Sequence, residues 1–208
     1  MIPTPHRQPD WLEWGAAGAA LDGQASGDHY LVLPDAERPL VCMMDGLGHG
    51  VDARRASLDC ASILEAHSGA ALIDLVGYCH EGLRGTRGVA MTLLQIDRER
   101  DLLEWVAVGN VEGLVLREGL ARGATFSAVV QRGGVVGYRL PPLKATHVNL
   151  QAGDLLVLAT DGIQSGFADS VDQRLAPQEL ADTLLSRFAR PSDDRLVLVL
   201  RYRKRSRP

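Results

Sequence analysis

Aromatic residues are scarce in this sequence, at 5% of the chain. Its core must therefore be built from Leu, Val, Ala and Ile side chains. Cysteine is scarcer still: Cys42, Cys60 and Cys79 are the three present. The number is odd and no CxxC occurs, which excludes a disulfide framework and a zinc ribbon. Each lies in an apolar stretch and reads as a buried free thiol in a reducing cytoplasm. A catalytic Cys79–His80 pair is discounted, because sequence neighbours on a helix point apart. No apolar run approaches the roughly 18 residues of a membrane span. The first ten residues carry Pro3, Pro5 and Pro9 without an apolar h-region. They read as a flexible arm, not a signal peptide. A P-loop lysine and a GxSxG elbow are also missing. So is a basic surface. Of the 22 basic residues, five lie in the last eight positions, which leaves a body of 17 basic against 26 acidic side chains. An acidic body argues against nucleic-acid binding, and the basic tail at 202–208 reads as a solvated terminus.

What remains is an ordinary globular composition, 46% hydrophobic and 23% charged over 208 residues. That is enough chain for one domain with its own core, expected at 11–201. Strands are expected at 11–21, 29–33, 40–44, 89–96, 102–108, 111–117, 125–130, 146–150, 155–160 and 196–201. Ala53, Ala56, Cys60, Ile63 and Leu64 recur at helical spacing, as do Leu72, Leu75, Val76, Cys79 and Leu83. Pro177 suits the first turn of a third helix, with Leu180, Leu184, Leu185 and Phe188 on one face. Hairpin-ordered strands with helices in two blocks predict an α+β fold, with helices layered on antiparallel sheets. Gly119 to Gly137 is glycine-rich and harder to assign.

The informative feature is where the aspartates fall. Asp45 and Asp161 each follow an apolar strand and precede a glycine, Gly46 and Gly162. Asp193 and Asp194 lead into a further apolar strand, and Asp28 follows Gly27. Each one alone reads as a turn residue, since Asp-Gly is a common turn dipeptide. Together they also fit a hard divalent cation, because buried carboxylates need compensating charge and a glycine lets its carbonyl approach. Gly46, Gly48 and Gly50 before a helix suggest a dinucleotide-binding turn as an alternative. That fingerprint needs glycine where Val51 stands, and a parallel strand after one helix. Arg87, just before a core strand, reads either as a surface arginine or as a group that orients phosphate.

The ordered set Gly27-Asp28, Met44-Asp45-Gly-Leu-Gly-His-Gly50, Gly109-Asn110-Val111, Gly153-Asp154, Ala159-Thr160-Asp161-Gly162 and Asp193-Asp194-Arg-Leu196 resembles the SpoIIE-type branch of the metal-dependent serine/threonine protein phosphatases, the PPM family. Arg87-Gly88 and Val136-Gly137-Tyr138 fit the same pattern, which runs from Trp11 to Arg201. Within that branch the chain resembles the small stand-alone phosphatases of stressosome signalling.

The resemblance implies an αββα sandwich of two mainly antiparallel sheets flanked by helices, protein phosphatase 2C-like, with two Mn²⁺ or Mg²⁺ ions at one end. Carried over by position, Asp45 bridges both ions. The Gly46 carbonyl binds the first ion and Asp28 supports it, while Asp161 and Asp193 bind the second. Asp194 is a further candidate ligand. Leu196 stands where the family has threonine, which puts the role of Asp194 in question. Leu47 stands where many relatives carry a histidine proposed as general acid. His49, two residues on, is either its substitute or a spectator. Attack of metal-activated water on phosphoserine or phosphothreonine follows from the resemblance. Its implied substrates are phosphorylated stressosome or sigma-factor-pathway regulators with sulfate-transporter/anti-sigma-antagonist (STAS) domains, with no nucleic acid or membrane partner. An inactive phosphatase-fold binding module and a nucleotide-binding oxidoreductase are the alternatives. Gly119 to Pro142 is the stretch expected to set substrate choice.

Overall fold

The computed structural model describes residues 9–117, 119 and 125–203. In chain order the elements are β1 (Leu12–Ala19), β2 (Asp28–Leu33), β3 (Leu40–Gly46), α1 (Val51–Ala66), α2 (Leu72–Gly82), β4 (Val89–Asp97), β5 (Leu102–Val108) and β6 (Glu112–Leu116). Then follow β7 (Thr125–Ala128), β8 (Thr146–Asn149), β9 (Leu155–Ala159), α3 (Pro177–Phe188) and β10 (Arg195–Tyr202). The strands form two sheets, β1-β10-β9-β6-β7 and β2-β3-β4-β5-β8. Every pairing within them is antiparallel. The dinucleotide alternative fails here, because β3 is followed by two helices and an antiparallel partner.

The continuous apolar runs now have a cause: the central strands are buried on both faces. Val41 and Met43 of β3 point between the sheets, where they join Leu94, Trp105, Leu156 and Leu198. Leu40, Cys42 and Met44 point outward, against Cys60 and Leu64 of α1 and Leu75 and Cys79 of α2. On the other side, Val157 and Val199 meet Leu180 and Leu184 of α3. The order is helix, sheet, sheet, helix, as the resemblance implied. All three cysteines are buried free thiols.

Most expected elements match to within one or two residues. The strand expected at 11–21 stops at Ala19, and a short 3-10 turn over Leu21–Gly23 follows. Asp22 there takes a left-handed φ of 48°. A second 3-10 turn at Phe167–Ser170 carried no sequence signal. The Ala152-Gly153-Asp154 turn carries the chain from the edge strand β8 of one sheet to β9 in the other. The arm and tail expected at 1–10 and 202–208 lie outside the described residues, except 9–10 and 202–203. Tyr202 is still strand, and Arg203 pairs with Glu13. Part of the expected substrate-choice segment, at 120–124, also lies outside them.

One packing detail sets up the site. The buried face of α1 is made of small residues, Ala53, Ala56, Ser57, Cys60 and Ala61, with Leu64. Small side chains let the helix lie close on β3. At Gly46 the approach is closest: a β-carbon would come within 2.1 Å of the Ala53 carbonyl oxygen. Glycine is therefore required after Asp45 by the close approach of the helix.

Candidate active site

Asp28 and Asp45 are register partners on neighbouring strands. They have the parity of Tyr30, Val32, Val41 and Met43, so both face the gap between the sheets. Asp161 follows β9 and Asp193 precedes β10, adjacent strands of the other sheet. Hydrogen bonds join the two sheets at this end. The Thr160 hydroxyl donates to Asp28 Oδ2 at 2.6 Å and accepts the Leu196 N–H at 2.9 Å. Gly162 lets the loops touch, since a β-carbon there would fall 1.9 Å from the Asp194 carbonyl oxygen.

The carboxylates are costly as they stand. Burial, aided by the charges of Asp45, Asp194 and Asp161, pushes Asp28 up to about 8, against the Thr160 hydrogen bond that lowers it. Burial and repulsion from Asp161, Asp193 and Asp194 push Asp45 up to about 7. Asp161 is raised by burial and by Asp193, opposed by Arg190 and by a 2.6 Å hydrogen bond from the Asn110 amide. A contrast lies elsewhere in the fold. Asp154 is fully buried, but Arg117 stands 3.2 Å away and the Gln151 N–H donates to it. Among the described residues, the charge that opposes the shift of these acids is Arg190, beside Asp161. Among the described residues, no three His, Cys, Asp or Glu side chains close into a ready metal cage.

Asp194 has a different occupation. Its Oδ1 accepts the Leu21 N–H and its Oδ2 the Gly27 N–H, both at 2.7 Å. It staples the start of β10 to the segment that delivers Asp28. Removing it as Asp194→Ala strands two backbone donors. Stability should fall by about 2–4 kcal/mol, a drop in Tm on the order of 10 °C, measured by thermal unfolding. An unchanged Tm would mean that these N–H groups find other partners.

The loop after Asp45 holds Leu47 and His49, both exposed. Arg87 lies across this loop. Its Nη1 occupies the space where a Gly48 β-carbon would sit, 2.6 Å away, and its Nη2 is 3.3 Å from Asp52 of α1. Three contributors carried no assigned role in the sequence: Thr160, Asn110, and Ser57, whose hydroxyl donates to the Gly27 carbonyl at 2.5 Å. Thr160 and Asn110 stand inside motifs that marked the resemblance, so their position was visible though their bonds were not. A cleft of about 590 Å³ at the opposite end of β3, lined by Pro34, Asp35, Arg38, Glu65 and Gln95, contains none of these acids.

An antiparallel αββα sandwich with aspartates converging from both sheets at one end defines a phosphatase 2C-like protein. The chain belongs to the SpoIIE family: the model described as Stage II sporulation protein E (SpoIIE) matches residues 35–203. The phosphoserine phosphatase RsbX of Bacillus subtilis (strain 168) is 23% identical over 138 residues, 66% of this chain and 67% of that one. The crystal structure of RsbX in complex with magnesium superposes with a TM-score of 0.83 at 17% identity, over 94% of this chain and 98% of that one. A chain solved in work on the bacterial stressosome as a modular system adapted to control secondary messenger signaling gives 0.82 at 31% identity, over 91% of this chain and 99% of that one.

Proposed function

We propose that this protein serine/threonine phosphatase depends on Mn²⁺ or Mg²⁺, two ions per site. Its proposed reaction is hydrolysis of phosphoserine or phosphothreonine on stressosome or sigma-factor-pathway regulators that carry STAS domains. The observation that carries the reading is the meeting of Asp28 and Asp45 with Asp161 and Asp193 in one region where carboxylates repel one another. SpoIIE membership and the likeness to RsbX support it.

The donor set fits a hard divalent ion, since it is all oxygen and mostly carboxylate. Asp45, the Gly46 carbonyl and Asp28 would hold one ion, and Asp45, Asp161 and Asp193 the other. Asp194 would be a further ligand only through the lone pairs left over from the two backbone N–H groups that its oxygens accept. Water would complete the coordination, as Mg²⁺ commonly requires. When bound, the ions supply positive charge for the phosphoryl oxygens and lower the pKa of water. The chain's own groups do the positioning. The Thr160 hydroxyl fixes Asp28, and the Asn110 amide orients Asp161. His49, exposed on the loop after Asp45, is assigned to protonate the leaving seryl or threonyl oxygen. Three free thiols suit the reducing cytoplasm, where such regulators act.

The test is phosphate release from a phosphoserine STAS-domain protein, with Mn²⁺ or with chelator. Turnover with the metal that stops on chelation is expected. Absence of turnover with either metal, on phosphoproteins and on a small aryl phosphate alike, would leave a binding module in its place.

A further inference from the structure

We infer that Arg87 is the side chain that takes the phosphate of the substrate, an inference that rests on the phosphatase reading above. The guanidinium is held beside the loop that leaves Asp45. Leu47 donates its N–H to the Gly88 carbonyl at 3.1 Å, so the backbones of 45–50 and 87–88 are tied together. Gly88 is fixed in turn: its N–H donates to the Thr86 hydroxyl, and Val89 bridges Val136 in both directions. The base of Arg87 is therefore rigid.

The loop is shaped around the guanidinium. Gly48, at φ 84°, is the residue over which Nη1 lies, and any larger residue would put a β-carbon 2.6 Å from it. The partner that Arg87 now has is weak. Asp52 stands 3.3 Å away with its side chain 72% exposed, and Arg87 itself is 47% exposed. Exposed pairs of this kind contribute little, so the fork is available to a better acceptor. A phosphate monoester dianion is that acceptor, because its oxygens match the bidentate geometry of a guanidinium. The acidic side chains of the site cannot do this work, since they repel the dianion. A second basic group, Arg190, lies beside Asp161, on the β9 side of the site.

The experiment uses the Mn²⁺-loaded full chain with Arg87→Ala, Arg87→Lys and Asp52→Asn. Two quantities are read: KM and kcat for a small aryl phosphate, and the dissociation constant of inorganic phosphate by calorimetry. Arg87→Ala should weaken phosphate binding and raise KM by about tenfold or more, and Arg87→Lys should recover only part of the loss. Asp52→Asn should leave phosphate binding unchanged or tighter, because it frees the guanidinium. The Mn²⁺ activation constant should stay the same in all three. Wild-type phosphate affinity in Arg87→Ala would overturn the inference. So would an equal loss in Asp52→Asn, which would mean that Arg87 only braces α1. Failure of the phosphatase reading looks different: wild-type protein would show no metal-dependent turnover, while calorimetry would still report whether Arg87 binds phosphate.

Discussion

Asp45→Asn should lose metal-dependent phosphate release by roughly a thousandfold, equal to about 4 kcal/mol of barrier, while its metal-free form melts higher than wild type. The two effects share one cause. Asp45 is a mostly buried carboxylate that three other aspartates repel, and its pKa sits at about 7. In the absence of cations the fold carries that charge at a loss, and an amide of the same shape removes it. The gain at pH 8 should be on the order of 2 kcal/mol, or about 4–8 °C in Tm for a domain of this size. The catalytic loss follows because an amide would not supply the anionic oxygen that a hard divalent ion held at this position would need. A variant that is both less stable and inactive would mean that Asp45 is held by hydrogen bonds within the protein and has a structural role. A variant that keeps turnover would remove Asp45 from the metal set.

The second large effect is a reversal of pH dependence by divalent cations. Asp28 and Asp45 have pKa values of about 8 and about 7 in the fold, against 3.8 for the ordinary carboxylate. Between pH 4 and pH 8 the native state therefore holds protons that the unfolded chain has released. Stability falls with rising pH wherever the unfolded state binds fewer protons. Metal-free protein should thus be most stable near and below pH 4 as far as these groups are concerned, and lose that contribution as pH climbs through 7 and 8. Asp161, raised in the same direction, adds to the slope. Cations bind the ionised carboxylates, so their stabilisation grows over the same interval. Melting curves from pH 5 to pH 9, with and without Mg²⁺, should diverge as pH rises. A metal-free Tm that is flat or climbs across that range would contradict the burial and repulsion described here.

Much of this was legible in the sequence because strands and helices write different periods. The LVCMM run before Asp45 and the VLVL run after Asp194 could only be strands buried on both faces, and both are. The carboxylates were legible for a related reason: an acid at the end of such a run is conspicuous. The cross-sheet bonds were not. Thr160 and Asp28 are 132 positions apart, and only the pairing of the two sheets brings the hydroxyl to the carboxylate. Asp194 shows the same limit. Sequence placed it beside Asp193 as a further candidate ligand, and did not show that its oxygens accept the N–H groups of Leu21 and Gly27, more than 160 residues away. At Gly153, with φ 92°, the chain passes from one sheet to the other, and nothing local in the sequence says so. Arg87 was ambiguous for want of one fact, the empty β-carbon position of Gly48 that its guanidinium fills.

The most direct test of the central claim is Mn²⁺ binding followed by electron paramagnetic resonance, on wild type and on Asp45→Asn and Asp161→Asn. The account predicts that wild type depletes the signal of free Mn²⁺, that Mg²⁺ competes it off, and that both variants lose most of this binding. Equal binding by all three proteins would contradict it, because the ion would then lie somewhere other than between the two sheets.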